Sequence, residues 1–156
     1  MPAAENTKPL MTDSPSALES HSQEFTLGEM AFWGERVGAE LQAPLIVTLQ
    51  GDLGAGKTTL VQALCRGYGV TEAVTSPTFA LVHEYHAPKS SVFHLDLYRL
   101  DSSAQLANIG WEDVLAANAL VLIEWPEHAG SEVPAAAFAL TLSHVAGKPD
   151  IRLISW

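Results

Sequence analysis

Between Gly51 and Thr59 the chain reads GDLGAGKTT, which carries the spacing G-x-x-x-x-G-K-[ST]. The glycines permit turns that a Cβ resists, so successive backbone N–H groups can converge into an anion nest. A helix beginning near Lys57 would add the positive end of its dipole. Chemistry of this kind is phosphate binding. Gly54, Ala55, Gly56 and Thr59 would line the cradle, Lys57 would reach the β- and γ-phosphates of a nucleotide, and Thr58 would give its hydroxyl to Mg2+.

Such a loop works with an acid at the carboxyl end of a neighbouring strand. Two acids stand after apolar runs: Asp96 closes SVFHLD and Glu124 closes LVLIE. Either can meet Mg2+, directly or through water, so both are candidate metal ligands and, with Lys57, candidate catalytic groups. Trp125 follows Glu124 and offers a flat face to a base, or is simply core. Pro126 then ends the strand, because it cannot donate to a sheet ladder. No N-K-x-D signature for guanine is present, which favours adenine. Ser76 and Thr78 flank Pro77 and suit either a switch loop at the γ-phosphate or a plain turn into a strand. His83 and His86 have the wrong spacing for a zinc motif and would point to opposite faces of a strand.

The elements that must position these residues are legible around them. PLIVTLQ before the glycine loop and ALVLIEW read as buried strands, TFALVHEY and SVFHLDLYRL as further strands. TTLVQALCRGYG reads as the helix leaving the loop, closed by Gly67 and Gly69. Upstream, TLGEMAFWGERVGAELQ places Leu27, Met30, Ala31, Gly34, Val37, Gly38 and Leu41 on one helical face. Thr26 and Glu29 there form a capping-box pattern. SSAQLANIGWEDVLAANA reads as short helices broken at Gly110. The last stretch alternates on both sides of a Gly-Lys-Pro turn and predicts an antiparallel hairpin. Lys148 in that turn is a further candidate for the nucleotide.

Composition limits the functions. The 156 residues are 47% apolar, which fits one domain from 23 to 156 behind a disordered, Pro- and Ser-rich tail over 1–22. Eight Lys and Arg against a net charge of -10 make a poor grip for nucleic acid. Any RNA would be held by a partner. Cys65 is the only cysteine and reads as a small buried side chain. No stretch approaches the roughly 18 apolar residues of a membrane span, and no export signal precedes the domain. The expected compartment is the cytoplasm.

Taken in order, GDLGAGKTT, SPTF, HLDLYRL, NIGWED and IEWPE resemble the motifs of the bacterial TsaE family over about residues 23 to 152. The resemblance implies an α/β, three-layer P-loop NTPase fold whose mixed sheet has a parallel centre and antiparallel strands at its edges. It implies ATP and Mg2+ as ligands, with the phosphate loop at Gly54–Thr59, Thr58 on the metal, Asp96 and Glu124 at metal and nucleotide, and Trp125 beside the adenine. It further implies a subunit that works with TsaB and TsaD on threonylcarbamoyladenosine in tRNA. There ATP hydrolysis resets the complex and TsaD transfers the group. Two other functions fit a phosphate loop. A small-molecule kinase would want a lid of arginines, whereas Arg36, Arg66, Arg99 and Arg152 are scattered. A non-catalytic ATP sensor would bind without releasing phosphate.

Overall fold

The computed structural model describes residues 21–77, 81–135 and 138–156. Among them, seven strands form one sheet: β1 (Ser22–Thr26), β2 (Leu45–Gln50), β3 (Val82–His86), β4 (Ser91–Asp96), β5 (Leu120–Glu124), β6 (Phe138–Val145) and β7 (Lys148–Ser155). Their order is β1-β7-β6-β2-β5-β4-β3. The centre is parallel: β2 pairs in parallel with β5 and β6, and β4 with β5. Antiparallel pairs flank it, with β3 on β4 at one side and β1, β7 and β6 at the other.

Helices cover both faces, which is why β5 reads as an unbroken apolar run and is buried at every residue. On one face lie α1 (Leu27–Glu40) and α2 (Lys57–Tyr68). They close over a core that includes Met30, Val37, Leu49, Leu64, Leu122 and Leu140. On the other lie α3 (Trp111–Ala116) and short 3-10 segments at Ser103–Ile109 and Pro126–Glu132. These bury Leu95, Leu106, Trp111, Val121 and Ile123.

Local signals act as the residue types dictate. Thr26 caps α1: its Oγ1 accepts from Glu29 N at 3.1 Å while Glu29 Oε2 accepts from Thr26 N at 2.8 Å. That reciprocal pair satisfies two amides the helix leaves open. Leu27, expected on the buried face, is 45% exposed, because it sits before the first turn reaches α2. The α1–α2 contact is backbone-tight. A Cβ at Gly67 would run into the Glu35 carbonyl. Gly110 breaks the helical segment as expected, in the left-handed region.

Two boundaries differ from the sequence expectation. The sequence puts residues 1–22 in a disordered tail. Instead Ser22 already pairs with Ser155 in β1–β7, and His21 exchanges backbone bonds with Trp156. The pairing partner is remote in sequence, so no local pattern signals the strand. The rest of the predicted tail, 1–20, lies outside the described residues, as does Thr78. The hairpin turn also falls earlier. It is Ala146–Gly147, with Gly147 at φ 74, and Lys148 already belongs to β7. Among the described residues no helix is long and apolar enough to cross a membrane.

Candidate phosphate and metal site

Parallel pairing sets the site. β2, β5 and β4 point the same way, and the register puts Leu49 and Asp96 beside Glu124. The loop leaving β2 therefore opens beside both strand-end acids. The pleat turns Asp96 and Glu124 to the face covered by α2. Val92 and Leu122, of the same parity, pack in the core under α1 and α2, while Leu95 and Ile123 pack in the opposite one.

The loop bends at Gly56, which caps α2 at φ 102 and ψ 19. A side chain there would be strained in the left-handed region and would also press on Met30. With no side chain at the cap, the first amides of α2 stay free for an anion. Lys57, only 5% exposed, donates to Gly51 O at 2.6 Å and Asp52 O at 3.0 Å. Its Nζ lies 4.2 Å from the Trp125 ring centroid. Burial lowers the Lys57 pKa from 10.5, against the pull of Glu124, Glu127, Asp96 and Asp52.

Thr58 Oγ1 donates to Glu124 Oε1 at 3.0 Å and Oε2 at 3.3 Å. Glu124 is 2% exposed, and His94 Nε2 approaches its Oε1 at 3.4 Å. Asp96 is held through both oxygens: Oδ2 accepts from Ser76 Oγ at 3.1 Å, and Oδ1 from Tyr98 N at 3.0 Å. Trp125 takes φ 56 and ψ 49, a left-handed turn that is uncommon for a bulky residue and characteristic of functional sites. It turns the chain where β5 stops and lays the indole over Lys57. Tyr98 and His128 pack around that indole, at centroid distances of 4.9 and 5.5 Å.

A cleft of about 360 Å3 opens among these groups. Of the residues singled out in the sequence, Gly54, Gly56, Lys57, Thr58, Thr59, Ser76, Asp96, Glu124 and Trp125 line it. Ala55 is fully buried beneath the loop and supports it from below. Lys148 is not at the cleft. Its Nζ pairs with Glu24 at 3.0 Å across β1 and β7. Starting the strand after Gly147 sends this side chain to the β1 edge. Leu53 and Tyr98 line the cleft without having been singled out. Their signal was position alone, inside the loop and two residues past Asp96.

Among the described residues no three His, Cys, Asp or Glu side chains gather as a metal cage. Mg2+ needs none: one or two protein groups plus phosphate oxygens suffice. The adjacent Thr58 hydroxyl and Glu124 carboxylate are a donor set of that type, so the residues fit the ion. Two arginines are engaged away from the cleft and a third braces the loop from outside it. Arg66 Nε bonds Glu35 at 2.7 Å, Arg36 covers Phe32, and Arg152 donates to the carbonyls of Pro149, Ile151 and Gly54.

A parallel-centred sheet, a glycine loop feeding α2 and acidic strand ends facing it define a P-loop α/β protein. The family model "Threonylcarbamoyl adenosine biosynthesis protein TsaE" matches residues 26–151, and the chain belongs to the TsaE family. Curated relatives agree. A Synechocystis protein named "tRNA threonylcarbamoyladenosine biosynthesis protein TsaE" is 40% identical over 116 residues, 70% of this chain and 74% of its own length. The Treponema pallidum protein of that name is 39% identical over 115 residues, 74% of this chain and 83% of its own. A solved structure, the crystal structure of Bacillus subtilis YdiB, shares the fold. Its TM-score is 0.74 at 23% identity, over 88% of this chain and 84% of that one.

Proposed function

We propose that this chain binds ATP with Mg2+ and hydrolyses it as the ATPase subunit of the machinery that makes threonylcarbamoyladenosine in tRNA. The observation that carries this is the Thr58–Glu124 contact of 3.0 Å at the mouth of the phosphate loop. It joins the two groups a P-loop uses for its metal, from elements 66 residues apart. The loop amides and the α2 terminus hold the phosphates, and Lys57 neutralises their charge. Thr58 and Glu124 would hold Mg2+, which when bound would supply further charge neutralisation. Asp96, steadied by Ser76 and the Tyr98 amide, orients water or completes the metal shell. Trp125 and Tyr98 offer the base an aromatic wall. Catalysis of this kind is positioning and electrostatics, and weak turnover is expected of the chain alone.

The names of the relatives supply the pathway. We place the chain with TsaB and TsaD in the cytoplasm, with hydrolysis resetting the complex and not supplying the transferred group. The acidic balance of the chain leaves contact with tRNA to those partners. The test is phosphate release from ATP and Mg2+, with and without TsaB and TsaD. Stimulation by the pair is expected. Equal rates would remove the regulatory role. Transfer of phosphate to a metabolite would indicate a kinase, and binding with no release even in the assembled complex would indicate a sensor.

A further inference from the structure

His94 is fully buried in β4, and neither ring nitrogen makes a well-formed hydrogen bond among the described residues. Buried polar atoms without partners are costly, so their presence needs a reason. Its position supplies one. His94 shares strand parity with Asp96 and pairs with Leu122 of β5. Glu124, two residues further along β5, is therefore its diagonal neighbour on the α2 face. Nε2 stands 3.4 Å from Glu124 Oε1, the same oxygen that accepts from Thr58 at 3.0 Å. No acceptor stands at Nδ1. A ring proton on Nε2 would thus lie beside a carboxylate, at ion-pair distance but outside hydrogen-bond alignment, while one on Nδ1 would have no partner.

We propose that His94 is a positioning residue for the metal-binding carboxylate. Its Nε2–H holds Glu124 from below, so that the carboxylate keeps the rotamer facing Thr58 and presents its remaining lone pairs to Mg2+. Outer donors of this sort orient ligating groups and tune their affinity for the ion. The proposal rests on the nucleotide–metal reading above and adds a residue that never touches the ligands. An ordinary core histidine would tolerate an apolar replacement at the site without consequence for the metal.

Two measurements test it. Long-range 1H–15N spectra of the full chain without nucleotide should show the His94 proton on Nε2; a ring with no proton there overturns the proposal. Second, Mn2+ binding to the protein–ADP complex is followed by electron paramagnetic resonance in wild type, His94→Leu and His94→Gln. His94→Leu should weaken Mn2+ by about tenfold or more, with ADP binding in EDTA unchanged. His94→Gln, whose amide nitrogen can stand where Nε2 stood, should recover most of the loss. If wild type and His94→Leu hold Mn2+ equally, only the His94 assignment falls. If wild type holds ADP but no Mn2+, the metal reading itself has failed.

Discussion

Replacing Thr58 by valine removes one hydroxyl and keeps the branched shape of the side chain. The hydroxyl is shared between the two oxygens of Glu124, at 3.0 and 3.3 Å, and that carboxylate is 2% exposed. A hydrogen bond to a charged group contributes about 1.5–3 kcal/mol. Here the proton is divided between two acceptors and Thr58 is only partly buried, so the low end applies, about 1.5 kcal/mol. At roughly 2–4 °C per kcal/mol for a chain of this size, the melting temperature should fall by about 3–6 °C. Function should suffer more than stability. On the proposed metal reading the change also removes a protein ligand to Mg2+, and that should cost at least the roughly tenfold that outer partners of a metal ligand cost. The assay pairs thermal unfolding by circular dichroism with phosphate release across a Mg2+ titration, including Thr58→Ser as the control that retains the hydroxyl. A Thr58→Val protein with both the wild-type melting temperature and the wild-type Mg2+ dependence would refute the reasoning.

Gly67→Ala should cost about 3 kcal/mol in urea unfolding, because the new methyl meets the Glu35 backbone carbonyl and neither helix can yield cheaply. Lys57 gives a pH signature. Its pKa is lowered by burial, so the unfolded chain binds the proton more tightly, and below the folded value the native state bears the full cost of a buried charge. Stability relative to Lys57→Met should therefore rise as pH climbs from that lowered pKa to 10.5; a difference that stays flat in urea midpoints across this window rejects the shift. Lys148→Ala should leave ATP affinity unchanged and stability within about 0.5 kcal/mol, since its pair with Glu24 is half exposed on both sides.

What the sequence made legible was whatever its local pattern encodes. The phosphate loop, the apolar strands and the Thr26–Glu29 cap each act over a few residues, and each stands where the pattern put it. The nearness of Asp96 and Glu124 was inferable because each closes an apolar strand, the position from which an acid meets a phosphate loop. β1 was not legible: five mostly polar residues become a strand only through a partner at the far end of the chain. Lys148 was misplaced by one choice of turn, which Gly147 decides by its positive φ. His94 carries no signal of its own in the sequence. Its meaning lies in a diagonal across two strands, and register is not a property of either strand alone.

The two walls of the cleft differ in how firmly they are built. Lys57 and Thr58 ride on α2, a 12-residue helix with seven buried residues. Asp96, Tyr98 and Trp125 belong to strand ends that run into single turns and a kinked 3-10 segment. Segments of that kind open locally at lower free energy than a packed helix. Amide exchange with solvent should thus be faster at Tyr98 and His128 than along Leu60–Cys65. A molecule seated across the cleft would grip a slow-opening wall on one side and a fast-opening wall on the other. Binding would then be felt as a change of tempo in the second wall, with little movement in the first.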